Sequence, residues 1–531
     1  MKPYSNLPNR RQILKGLGAS AFLLSTTSLT QPALAQDQSE FAFDYDSFSA
    51  RMQELAKAPF TPVTAALPEA FQQLDYDAYR KIQYRADAGK WADDNAGYRL
   101  QAFHLGWLYA EPVKVFEVQA GKARPVDFSA SDFQYYDTAV AEAAQSQDFP
   151  GVAGFRVNYP LNRPEAYDEL VSFLGASYFR SLGRDNIYGL SARGLVLNSW
   201  VDLPEEFPRF SEFYVEKPQP GGPLTVYAAL DSQSVTGAYR FVITPASDAA
   251  QETTMDVRAR LYFRADVKEL GVAPLTSMFL YAEANRGGFD DYRPQVHDSN
   301  GLLVEREGGE VMWRALNNGP TLGNSYFWEN NPQAFGLYQR GRDFQSYQDA
   351  GAHYERRPSL RVEPQGQWGQ GMVRLIEIPA KLEADDNIVA FWIPAEPALA
   401  GQSREYAYRL IWGNLDPDPN APTAYVAETR AGVGGVSGVE NAASLRKFVV
   451  DFKGGELDTF SPGTPIDVLA TIGSGGVMRN SVLSRVDANG VWRLVMDVET
   501  DGVAPLELKA YLVGLGKKLT ETWLYQWRPL A

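Results

Sequence analysis

The 531-residue chain contains no cysteine and only three histidines, His104, His297 and His353. The first absence excludes disulfides, thiol nucleophiles and thiolate metal centres. With so few histidines there is no HExxH zinc motif, and no GxSxG elbow is present, so histidine-held zinc and Ser-His-Asp hydrolysis are disfavoured. Positive charge is scarce too: 50 Lys and Arg face 65 Asp and Glu, a net charge of −15. Beyond the N-terminus no segment approaches about 18 uninterrupted apolar residues, so stable membrane insertion is not expected. What remains is ordinary globular material, 45% apolar and 13% aromatic, whose chemistry has to lean on carboxylates.

Residues 1–35 carry four of the basic residues and none of the acidic ones, which leaves the rest at −19. Such a surface repels phosphate backbones and anionic lipid; a neutral substrate fits it, and nucleic acid does not. The N-terminus reads Arg10-Arg11-Gln-Ile-Leu-Lys15, a mildly apolar stretch from Gly16 to Leu29, then Ala33-Leu34-Ala35. Paired arginines, a short weak apolar core and an A-x-A site predict a twin-arginine signal peptide over 1–35 and a periplasmic protein. Export after folding in a reducing cytoplasm agrees with the missing cysteines.

Periodicity predicts a mainly β chain. Helix-like spacing is confined to Pro68–Arg85 and Pro164–Leu182, whereas Leu224–Leu230, Tyr239–Thr244 and Met255–Val267 alternate with period two. Strands separated by Gly, Pro, Asn and Asp clusters, without βα alternation, predict a large N-terminal antiparallel β-sandwich with a few helices over 37–412. Residues 413–424, rich in Pro, Asp and Asn, read as a linker. Short strands beyond it suit a C-terminal immunoglobulin-like β-sandwich over 425–531.

Two motifs fail on inspection. Gly432-Val-Gly434-Gly435 lacks the third glycine of a dinucleotide loop, and Asp416-Pro-Asp418 lacks the glycine and the distal glutamate of a calcium loop, so no cofactor or metal is expected. Two polar clusters are more promising. Glu283 to Gly301 packs Asp290, Asp291, Tyr292, Arg293, His297 and Asp298 between two apolar strands; it is either a polar site or a solvated loop whose Asp residues cap turns. Glu383-Ala-Asp385-Asp386-Asn387 enters the apolar run Ile388–Ile393, where desolvation would favour a general acid, although Asp-Asp-Asn also suits a hairpin turn. Trp328, Tyr338, Tyr347, Tyr354 and Arg357 lie between them, a mixture that suits sugar faces and hydroxyls as well as an ordinary core.

Leu174-Gly-Ala-Ser-Tyr-Phe-Arg-Ser-Leu182, Asp291-Tyr-Arg-Pro-Gln-Val-His-Asp-Ser-Asn-Gly-Leu302, Asp386-Asn-Ile-Val-Ala-Phe-Trp392 and Phe448-Val-Val-Asp-Phe452 resemble the periplasmic glucan biosynthesis family, OpgG and OpgD. The paired-arginine signal looks like that of the OpgD branch. The resemblance implies a β-sandwich joined to an immunoglobulin-like domain, a β-1,2-linked glucan as ligand, a tendency to homodimerise, and inverting endo-hydrolysis. Its motifs carry the general base onto Asp298 and the general acid onto Asp386, with Tyr292, Arg293, His297, Tyr354 and Arg357 as substrate-binding candidates and the 430–440 loop as a possible cover. Two alternatives stay open at this point: a non-catalytic glucan-binding factor, which needs neither carboxylate, and a transglycosylase, which needs an acceptor that displaces water.

Overall fold

The computed structural model describes residues 40–529 except 64–66, 93, 95, 147–148, 437, 439, 441–443, 462, 501 and 503. The signal peptide and its cleavage site lie outside the described residues, as does part of the 430–440 loop.

The chain is mainly β, as its periodicity predicts. Leu224–Asp231, Val235–Thr244 and Thr253–Phe263 are neighbours in one antiparallel meander; Thr253–Phe263 alternates a buried face with a more exposed one, whereas Leu224–Asp231 is buried on both faces. They belong to a 16-stranded sheet that continues through Ser403–Gly413, Ser359–Pro364, Ala334–Tyr338 and Gly301–Glu305 to Val311–Ala315. A ten-stranded sheet packs against it, ordered Gly323–Asn330, Gln370–Glu377, Ile388–Pro394, Leu270–Ser277, Ser191–Arg193, Tyr178–Ser181, Ala166–Leu174, Val152–Arg163 and Arg99–His104, with Leu195–Leu197 as a second partner of Leu270–Ser277. Between the sheets lies one apolar core that includes Phe155, Phe173, Phe241, Trp392 and Trp412.

Beyond Gly413, Tyr425–Val433, Leu445–Lys453, Trp492–Thr500 and Gly476–Arg485 form a separate four-stranded sheet. It encloses a second core around Phe448, Trp492 and Trp523. The facing layer of that core, Thr522–Trp527, Leu506–Gly514 and Asp467–Ile472, is not free-standing. Thr522–Trp527 pairs in parallel with Val311–Ala315, so the 16-stranded sheet runs without a break into the C-terminal sandwich.

Buried ion pairs reinforce this junction. Arg340 donates to both carboxylate oxygens of Glu521 at 2.7 and 2.9 Å, and Glu377 accepts from Arg314 at 3.1 Å and Arg528 at 2.9 Å. All three members of the Glu377 cluster are at most 2% exposed.

The helix expected over Pro164–Leu182 is instead two strands, Ala166–Leu174 and Tyr178–Ser181, around a turn with Gly175 and Ala176 at positive φ. Leu170, Val171, Ser172 and Phe173 are all buried because both faces of this strand are covered, and that hides the period-two signal. Pro68–Arg85 breaks into Glu69–Gln72, Tyr76–Tyr79 and the strand Ile82–Tyr84. Asp75 stops the first helix from continuing by capping the second: its carboxylate accepts from Ala78 N at 2.8 Å. An 11-residue helix, Tyr45–Leu55, is capped in the same way by Asp44.

Candidate functional site

A buried amide helps to bring the two polar clusters together. Phe279–Tyr281 and Val296–His297 form a short ribbon, and Asp298 follows it with its N–H donating to Met278 O at 2.8 Å. Across from it, the buried amide of Asn387 accepts from Phe279 N at 2.8 Å and donates to Phe279 O at 2.9 Å and Ile378 O at 3.1 Å. The turn composition of Asp385-Asp386-Asn387 therefore serves both readings: Asn387 closes the turn and ties Asp386 to the segment that carries Asp298. Gly301 permits the close approach behind it, since a Cβ there would sit 2.1 Å from the Trp313 ring.

Asp298 and Asp386 have unequal surroundings. Asp298 is 7% exposed. Burial pushes its carboxyl up to about 6; Arg357 opposes this, while Asp386 and Glu383 add to it. Its Oδ1 lies 3.6 Å from Arg357 Nη1 and makes no hydrogen bond among the described residues. Asp386 is half-buried and lines an open groove of about 4150 Å³, together with Glu383, Asp385, Arg180 and Arg357. That volume far exceeds the roughly 300–1,000 Å³ of a small-molecule pocket, so the groove has the scale of a polymer site.

The other residues singled out from sequence occupy several different positions. Arg357 lines the groove, donates to the backbone oxygens of Tyr188 and Ala352, and sits over the Tyr354 ring at 5.1 Å. Tyr354 is buried, and its hydroxyl donates to Glu383. His297 is fully buried, stacked on Phe279 and edge-on to Tyr347. Burial lowers its pKa to about 3, so the ring is neutral and supplies no cation to Asp298. Tyr292 is 75% exposed and stands apart from the groove lining.

Arg293 is the hub of a clamp. It donates to Asp291 at 2.7 Å, Asp349 at 2.8 Å and Glu383 at 2.8 Å, binding the histidine loop, the segment after Phe344–Tyr347 and the approach to Asp386. Its guanidinium holds Asp291 down at about 2. Burial pulls Glu383 up, but the bonds from Arg293 and Tyr354 outweigh it and keep that carboxyl below its usual range. Arg293→Ala would leave three carboxylates facing one another, and we expect a loss of about 2–3 kcal/mol in urea unfolding, with Arg293→Lys recovering only part because it cannot bridge bidentately.

The periodicity reading missed the sheet side of the groove. Arg180 and Tyr178 line it from the strand that helix-like spacing concealed, and Trp107 and Tyr109 line it from a turn with no sequence signature. Their signal was present only as alternation within Tyr178–Ser181, where Phe179 points to the core and Arg180 away from it.

Fold and groove together define a mainly β protein with a large open groove lined by carboxylates and arginines. The comparisons narrow that class: residues 43–527 match the model of the periplasmic glucan biosynthesis protein family MdoG, and the chain belongs to that family. It is similar to glucans biosynthesis protein G of Cereibacter sphaeroides, 51% identical with 98% of this chain and 97% of the relative covered. It is also similar to a probable glucans biosynthesis protein D of Shewanella oneidensis, 39% identical over 99% and 97% of the two chains. A further relative is the G protein of Ralstonia nicotianae, 40% identical over 93% and 97%. No described helix is long and apolar enough to cross a membrane.

Proposed function

We propose that the protein is an inverting endo-β-1,2-glucanase that sets the backbone length of periplasmic glucan. The observation that carries this reading is the meeting of two carboxyls in unequal environments, Asp298 beneath the groove wall and Asp386 on it. Inversion needs one carboxyl to protonate the leaving oxygen and another, roughly 6.5–9.5 Å away, to activate water. Asp298 suits the base, because a carboxylate pushed up to about 6 is still ionised at neutral pH yet near its greatest basicity. Its depth implies that a water or sugar hydroxyl relays the proton. Asp386, on the groove wall, is placed to meet the glycosidic oxygen. Two carboxyls suffice for this chemistry, so no cofactor enters it. The reading includes periplasmic export through the twin-arginine signal, homodimerisation, and Arg357 as the hydroxyl-binding group nearest the pair.

The test is to incubate residues 36–531 with linear β-1,2-glucan and follow the anomers by NMR. Shorter oligosaccharides appearing first as the α-anomer support inversion. A first-formed β-anomer indicates retention, and bound but uncut polymer indicates a binding factor. The logarithm of kcat/KM against pH should bend at about 6 and fall below it as the Asp298 base is protonated.

The same shift has a sign for stability. A carboxyl raised in the folded state favours folding below its unfolded value, and that benefit is lost as pH rises through about 6. Asp298→Asn should therefore be inactive yet more stable than the parent at pH 7.5, by on the order of 2 kcal/mol, with the difference gone at pH 4. Thermal melts at the two pH values check it.

A further inference from the structure

Trp328, one of the aromatics prominent in the sequence, takes no part in the groove. It is 62% exposed, and Tyr326, two residues before it, is 48% exposed; neither lines the groove. Both belong to Gly323–Asn330, the strand that ends the ten-stranded sheet. Phe327 packs on the main core and Glu329 is buried, so the alternate residues Tyr326, Trp328 and Asn330 share the outer face, opposite Arg374, Met372 and Gln370 of the next strand. Edge strands are commonly blunted by Lys or Pro. This one has neither, and it leaves two large rings in water on residues about 7 Å apart along the strand.

The backbone beneath the rings is fixed. Arg306 donates to Trp328 O at 3.2 Å and pairs with Glu329 at 3.0 Å and Glu310 at 3.3 Å, while Gln526 donates to Asn324 O at 3.4 Å. Two carbonyls of the strand are thereby occupied, which disfavours addition of a partner strand. Arg374, buried and paired with Glu269, lies 5.3 Å over the Tyr326 ring. Both arginines are therefore compensated, and the flanking Asn330 and Gln370 are exposed and neutral, so the face suits an uncharged ligand. Its size argues against a second copy of the chain: the exposed parts of two such rings total roughly 200–300 Å², against about 800 Å² per partner in a stable interface.

We propose that Tyr326 and Trp328 form a carbohydrate-contact surface outside the groove, on which a neutral glucan chain lays the apolar faces of its sugar rings. The proposal rests on the glucanase reading for its ligand and adds a non-catalytic hold on the same polymer. Rings carried by a fixed strand lose little freedom on meeting a sugar, and Asn330 and Gln370 offer amides to hydroxyls beside Trp328. A contact of this size is weak alone. Its effect comes through linkage: a chain long enough to reach both the surface and the groove is held at raised effective concentration, while a short oligosaccharide gains nothing.

The test compares the parent with the double variant Tyr326→Ala, Trp328→Ala; both side chains are largely exposed, so the fold is retained, and Trp328→Ala alone is the milder form. The substrates are linear β-1,2-glucan of about 50 glucose units and the shortest oligosaccharide that is cut. KM for the long chain should rise about fivefold with kcat unchanged, and both constants for the short one should stay as they were. An unchanged KM on the long chain, or an equal loss on both substrates, overturns the surface while leaving the glucanase reading standing. Retardation in gels containing the long glucan separates the two readings. If the parent cuts nothing yet is retarded, and the two substitutions weaken that retardation, the surface stands and the glucanase reading falls. If sedimentation shows a parent dimer that the substitutions convert to monomer, with retardation unchanged, the face serves self-association and the proposal is overturned.

Discussion

Asp386→Asn should stop release of oligosaccharides from linear β-1,2-glucan while the polymer remains bound. The substitution keeps the size and hydrogen-bonding shape of the side chain and removes only the transferable proton. The loss therefore measures general acid catalysis, about 10²–10⁴-fold in kcat, with KM little altered. Binding survives because Asn387 holds the turn against Phe279 and because the groove extends well beyond the pair. Reducing-end assays and calorimetry on one preparation separate the two quantities. Turnover within about tenfold of the parent would remove Asp386 from the acid role, and lost binding with intact folding would make it a substrate-holding group instead.

The largest effect on stability is expected far from the chemistry, at Glu377. Its carboxylate sits between Arg314 and Arg528, accepts the Asn317 N–H at 2.6 Å, and is 1% exposed. Glu377→Gln leaves two buried guanidinium groups without a counter-charge, which costs about 3–5 kcal/mol. Arg528 follows the last C-terminal strand and Glu377 ends a strand of the ten-stranded sheet, so the loss should loosen the junction between the two sandwiches. Urea unfolding should show an early transition reported by Trp523, the buried indole of the C-terminal core. Unfolding that matches the parent in midpoint and shape would show that the cluster contributes nothing net. The conservative reverse test, Arg314→Met, removes one cation and leaves Glu377 paired with Arg528, so it should be the milder of the two.

How much of this was legible in the sequence differs from element to element. Thr253–Phe263 was readable because one of its faces meets the core and the other is more exposed, so alternation survives in the letters. Ala166–Ser181 was not readable in that way, since both faces of Ala166–Leu174 are covered and the buried run mimics a helix stripe. The consequence reached the site: with that segment taken as helix, Arg180 and Tyr178 had no reason to share a surface with Asp298. His297 shows the converse. Its place beside Asp298 in the chain suggested a partner in the site, but His297 ends a short strand and Asp298 lies in the bend after it, and the ring packs against Phe279 and Tyr347.

The residue types by themselves determined that no thiol chemistry operates, that the surface is strongly acidic and that the chain is mainly β, and the resemblance of short strings to a known family singled out Asp298 and Asp386. Those are properties of composition, of period and of short strings. Only the tertiary structure decided that the Asp298 carboxyl is raised, that Arg293 binds three carboxylates from separate segments, and that the long sheet runs on into the C-terminal sandwich. The physical reason is the same in each case. Burial and pairing energies depend on which distant segments the sheets bring within hydrogen-bonding and Coulombic reach, and that distance is a property of register and strand order, which no local window of sequence contains.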